Sequence, residues 1–281
     1  MAALVLVGTA GVPSFAAEEK ESMTLSPTDR RFELDAGQST TSEFTILNDG
    51  TTAYDFVVYA SPYSIESTTY DPNFERTPAN ADAYKWVSFE KTTWHVEPRQ
   101  SAKVPFTMRV SKDAAPGGHY GVIFAEVKSK SEGSVTRNKR IGLVLYTTVN
   151  GDVRMNGQVK NIKTAWYQGQ VPVVSTVNVE NTGNTHFTSK QSINVTNIFG
   201  ASLYKQDIET TVLPDKPRDI EFKWQGAAWL GLYKVKTSAT VLDKTTTKES
   251  IVLVAPAWFL ATIIIFVAIG VVYAMRGNKK R

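Results

Sequence analysis

The chain has 281 residues, of which 42% are hydrophobic and 21% charged, with 31 Lys and Arg against 27 Asp and Glu and no cysteine. This is a globular composition, and the missing cysteine excludes disulfide bracing, thiol nucleophiles, CxxC redox pairs and cysteine-ligated metal. Four of the 31 cations lie after residue 275, so the other 27 balance the 27 acids, and a basic face for nucleic acid has no support.

Residues 1–17 are uncharged, and the apolar stretch 2–12 runs into PSFAAEEK, whose Ser14, Ala16 and Ala17 have the small side chains of a signal-peptidase site. Export is expected, although no Lys or Arg precedes the apolar stretch. Strands are then predicted at EFTILND (43–49), YDFVVYA (54–60), KVPFTMRV (103–110), YGVIFAEV (120–127), IGLVLYTTV (141–149), PVVSTVNVEN (172–181) and YKVKTSATV (233–241). These runs are short, β-branched and aromatic, and turn residues such as Asp49-Gly50, Pro116-Gly117-Gly118 and Thr182-Gly183 separate them.

An internal repeat organises the strands. Asn48-Asp49-Gly50, Val96-Glu97-Pro98 and Gly118-His119-Tyr120 recur in the same order as Asn181-Thr182-Gly183, Val212-Leu213-Pro214 and Gly231-Leu232-Tyr233. The Asn-to-Pro interval is 50 residues in the first copy and 33 in the second, which places an insertion at 61–84 of the first. The expected fold is all-β: two tandem immunoglobulin-like β-sandwiches, 18–155 with the insertion and 156–254, since the segment is too long for one sandwich of about 100 residues and suits two.

From 257 to 275 the sequence AWFLATIIIFVAIGVVYAM holds no charge, and 19 residues are the approximate minimum for a bilayer core. Trp258 and Tyr273 stand near its ends as interfacial rings, and Arg276, Lys279, Lys280 and Arg281 follow as a basic tail. The expectation is a single C-terminal transmembrane helix (255–275), with membrane lipid as a partner, a cytoplasmic tail (276–281) and residues 18–254 outside the cell membrane in type I topology.

Chemistry is sparse. His95, His119 and His186 stand apart in sequence, with no HExxH, GxSxG or phosphate-loop pattern, so no cofactor is expected and no catalytic residue is assigned. Asp71, Asn73, Glu75, Thr77 and Asp82 match positions of a calcium-loop template in which Arg76 stands where glycine is needed. Two segments are candidate binding sites. The insertion spaces Tyr63, Tyr70, Phe74 and Tyr84 through polar sequence, the composition of a binding loop or of a cap folded onto the sandwich edge. The segment 128–140, with Lys128, Lys130, Arg137, Lys139 and Arg140, is either a contact for an anionic wall polymer or a solvated hairpin tip.

The order of motifs resembles the WxL-interacting proteins of Gram-positive surfaces. The residues concerned are FELDAGQSTTSEFTILNDG (32–50), with Ala36 where that family has proline, then PGGHYGVIFAEV (116–127), VLPDKPRDIEFKW (212–224) and GLYKVKTSATV (231–241). The resemblance implies a peptidoglycan-binding sandwich, a second host-binding sandwich, a transmembrane helix and a basic tail. The function expected is non-catalytic binding of cell-wall polymer, or of another surface or host protein, at the cell surface. The alternatives are an accessory subunit of a membrane complex and a tethered wall hydrolase.

Overall fold

The computed structural model describes residues 22–127 and 139–278. The signal-like segment, Lys128, Lys130 and Arg137 of the basic hairpin, and Lys279, Lys280 and Arg281 of the tail lie outside the described residues.

The first half contains β1 (Met23–Ser26), β2 (Asp29–Leu34), β3 (Ser39–Asn48), β4 (Tyr54–Pro62), β5 (Ser64–Ile65), β6 (Pro72–Asn73), a 3-10 turn (Ala83–Trp86), β7 (Val87–Ser88), β8 (Thr93–Val96), β9 (Ser101–Arg109), β10 (Gly117–Val127) and β11 (Lys139–Val149). The second contains β12 (Gly157–Thr164), β13 (Tyr167–Gln168), β14 (Val173–Asn181), β15 (Phe187–Asn197), β16 (Ser202–Val212), β17 (Arg218–Trp224), β18 (Gly231–Val241) and β19 (Lys244–Val254). Sheets β1-β3-β9-β7 and β2-β11-β10-β4-β8 enclose one core, and β12-β14-β17 and β13-β19-β18-β15-β16 enclose the other. In each half one short strand runs parallel to the last strand, β2 along β11 and β13 along β19, and the remaining pairs are antiparallel. The elements β5 to β7 and the 3-10 turn stand between β4 and β8 and have no counterpart between β15 and β16.

The repeated motifs occupy equivalent places. Asn48 is fully buried; its Nδ2 donates to the carbonyls of Thr52 (2.9 Å) and Val96 (3.3 Å), and its Oδ1 accepts from the Gly50 N–H (2.9 Å). Asn181 repeats this with the carbonyls of Thr185 (2.8 Å) and Val212 (2.9 Å) and the N–H of Gly183 (2.9 Å). A buried amide thus pins the turn after one strand to the end of another. Asn181→Ala strands two carbonyls and one N–H, and is expected to cost roughly 2–4 kcal/mol in chemical denaturation; a loss below about 0.5 kcal/mol would contradict this role.

The Gly-x-Tyr motifs are also explained by packing. The ring of Tyr120 folds back over Gly118, and that of Tyr233 over Gly231, so closely that an added Cβ would lie 2.2 Å and 2.4 Å from the hydroxyl oxygens. No side chain larger than hydrogen fits beneath either ring.

The uncharged C-terminal run forms α1 (Ala257–Asn278). Among the described residues no helix is long and apolar enough to cross a membrane. The expected single-pass type I membrane placement, with lipid as partner and Arg276, Lys279, Lys280 and Arg281 as a cytoplasmic tail, is corrected accordingly. Trp258 instead stacks on Trp229 of the second sandwich (6.3 Å between centroids), while Tyr273 and Arg276 are exposed.

Candidate functional site

Strand β10 is buried along nearly its whole length, which its unbroken apolar sequence reflects. Ile123, Ala125 and Val127 face the core between the sheets, whereas Tyr120, Val122 and Phe124 face outward into a separate apolar cluster. The insertion covers that outer face. Tyr63 is 9% exposed and meets the ring of Tyr146 edge-on at 6.4 Å; Phe74 meets Phe124 edge-on at 4.9 Å. The Arg140 guanidinium lies 4.7 Å from the centre of Phe124 and 5.5 Å from that of Phe74. Tyr84 is half-buried in the 3-10 turn, beside the Lys85 ammonium, and Lys139 begins β11 on the exposed side.

Tyr70 carries the cluster across to the second sandwich. Its hydroxyl accepts from the Leu213 N–H (2.8 Å), its ring lies 4.2 Å from the Arg218 guanidinium, and burial pushes its pKa up to about 12. The Asp219 N–H donates to the Thr68 carbonyl (2.7 Å), the Gly118 N–H to the Asn184 carbonyl (2.8 Å), and Arg31 to the Thr211 hydroxyl (2.6 Å). Thr148 and Thr185 share a hydrogen bond of 3.0 Å. His186 is wedged at this seam, 5.1 Å from the ring of Tyr146 and 5.8 Å from that of Tyr120. Burial, with the Arg31 charge nearby, pushes its pKa down to about 4, and its Nδ1 has no hydrogen-bond partner.

A cleft of about 540 Å³ opens where the insertion meets the loop after β16. Tyr63, Ile65, Tyr120 and Leu213 give it an apolar floor; Glu75 and Arg76 stand on one wall, Asp215 and Lys216 on the other. The hairpin and the opposite loop each hold a non-glycine residue in left-handed backbone, Tyr70 at φ 66° and Asp215 at φ 71°. Arg99, which follows the equivalent proline in the first copy, takes the same conformation at φ 63°, so that of Asp215 belongs to the repeated turn.

The structure therefore brings Tyr63, Tyr70 and Phe74 together with Arg140, and places Tyr84 and Lys139 outside that contact. Sequence reasoning missed the contribution of the second sandwich: Leu213, Asp215, Lys216, Arg218 and His186. The available signal was the apolar Leu213 at 212–214, where the first copy has the polar Glu97 between the same Val and Pro. The calcium-loop residues do not converge: Asp71 accepts from the Ser67 and Thr69 hydroxyls, Asn73 caps the N–H groups of Glu75 and Arg76, and Asp82 binds the His119 Nδ1 (2.6 Å). The His119 ring packs on Trp86, on the opposite face of β10 from Tyr120, and the exposed His95 lies between Asp55 and Glu97. Among the described residues no group of three His, Asp or Glu side chains could hold a metal ion.

No protein-family model matches the chain, and no curated protein matches it. Solved structures similar to it include the class 5 fimbriae chaperone CfaA (11% identity, 82% of this chain and 99% of that chain, TM-score 0.40). Others are the CupB2 chaperone of Pseudomonas aeruginosa (12%, 82% and 100%, 0.40) and the E. coli chaperone DraB (13%, 82% and 98%, 0.38). Identity and score at this level carry no function across.

Proposed function

We propose that this chain is a non-catalytic binding protein that takes an extended segment of a partner protein into the cleft at its seam. The observation that carries the reading is the cleft itself: an apolar tyrosine and leucine floor between walls that each present one acid and one base. Such a rim is formally neutral and can pair with both the amide groups and the mixed charges of a polypeptide, whereas it offers an anionic polymer no net electrostatic attraction. The resemblance to WxL-interacting proteins belongs to the same proposal, with a bacterial surface protein or a host protein as the partner.

A photo-crosslinking amino acid at Thr77, in the cleft, tests this against one at Leu232, at the far end of the second sandwich. The expected result is a discrete protein adduct from position 77 alone, digested by protease. Equal labelling from both positions, or an adduct released by wall-degrading enzymes, would overturn the reading.

A further inference from the structure

The strand β16 is an open edge. It pairs with β15 on one side, and among the described residues no strand pairs with its other side. Its sequence, SLYKQDIETTV, contains no proline to blunt it. Towards its end Arg218 takes the Thr211 carbonyl and Tyr70 of the first sandwich the Leu213 N–H, which closes the edge beyond Thr210; near its start a bulge leaves Leu203 unpaired with β15, so the regular open stretch is the seven residues 204–210.

We propose that this edge pairs antiparallel with the same edge of a second copy of the chain, joining two five-stranded sheets across a two-fold axis at Gln206. The register follows from elementary geometry. Residues opposite one another in an antiparallel pair must both point their backbone groups towards the partner or both away, and these directions alternate along the strand. A symmetric pairing is therefore centred on a residue, never between two. Centring on Lys205 sets Lys205 against itself, and centring on Asp207 sets Asp207 against itself. Centring on Ile208 sets Asp207 against Glu209 twice. Like charges directly opposite are destabilising.

Gln206 is the exception, and a pairing about it uses Tyr204–Ile208, clear of the bulge at Leu203. About it Lys205 faces Asp207 twice, and Tyr204 faces Ile208 twice. Tyr204 and Ile208 already pack partly into the core of their own sandwich, so their apolar sides would continue from one sheet to the next. Lys205 and Asp207 lie on the opposite, exposed face, 3.7 Å apart within one strand, and would exchange this partner for the one across the axis. A contact of this kind is isologous and closes at two copies.

The absence of cysteine in the chain gives a clean test of register. In the full chain, Gln206→Cys places two thiols opposite each other at a separation compatible with a disulfide, whereas Leu203→Cys does not. Under mild oxidation the first should form a covalent dimer at least about ten-fold faster. Lys205→Glu and Asp207→Lys should each weaken association about ten-fold in sedimentation equilibrium, because each sets like charges opposite one another twice. A one-to-one mixture of these two variants should recover association, since both cross-strand pairs again carry opposite charge. Equal cross-linking of the two cysteine variants, a wild-type chain that stays monomeric on the order of 100 µM, or a mixture that associates no better than its components would overturn the proposal.

Discussion

Replacing Tyr63, Tyr70 and Phe74 together by alanine should lower the melting temperature sharply. Tyr63 is buried among Phe74, Tyr146 and the strands beneath, and removing a fully buried ring costs roughly 3–5 kcal/mol. Phe74 is half-buried, so its share is smaller. Tyr70 adds a polar loss, because without its hydroxyl the Leu213 N–H has no acceptor at the seam. Tyr70→Phe isolates that part and should cost roughly 1–3 kcal/mol. Thermal unfolding of the triple variant is decisive: rings on a freely presented loop would leave the midpoint nearly unchanged, whereas rings that join two sandwiches cannot be removed without loosening both.

Acidification should weaken the same seam through His186. Its pKa is held near 4, first by burial and then by the Arg31 charge, against 6.5 for an ordinary histidine. Between these values the unfolded chain binds a proton that the folded chain refuses. The stabilisation is therefore complete above about pH 6.5 and is lost as pH falls towards 4, by about 3 kcal/mol. His119 acts in the opposite sense. Burial alone would lower its pKa, but hydrogen bonds to Asp82 and to the Ala115 carbonyl outweigh this and raise it, so its contribution is present at low pH and lost as pH rises. The informative quantity is the difference in unfolding free energy between the wild type and His186→Phe across this range. It should slope between pH 6.5 and 4, and parallel curves would contradict the assignment.

How far the sequence foretold this arrangement depends on burial. Strands with an apolar inner face, such as β3, β4 and β18, announce themselves by alternation, and β10 by a continuous apolar run because both of its faces are covered. Strand β15 hides Ser189 and Gln191 in its interior, satisfied by hydrogen bonds, and so reads as polar. The edge strand β16 is exposed on most of its length, which erases the same signal. The repeat was readable because Asn48 and Asn181, and Gly118 and Gly231, do the same steric and hydrogen-bonding work in each copy. The seam was not. Tyr70 and Leu213 are 143 residues apart, and nothing local in either segment says that they meet. The C-terminal run has the length, the flanking rings and the basic tail of a span, yet among the described residues no helix is long and apolar enough to cross a membrane.

Amide hydrogen exchange at three positions tests most directly whether the two sandwiches are joined as described. The N–H groups of Gly118, Leu213 and Asp219 each donate across the seam, to Asn184, Tyr70 and Thr68. If the seam is built, these amides should be protected to a degree approaching that of core residues such as Ile123 and Val235, and Tyr70→Phe should release Leu213 first. If instead all three exchange at the rate of exposed loops while both cores stay protected, the sandwiches are merely strung together, and a cleft between them cannot be the binding site.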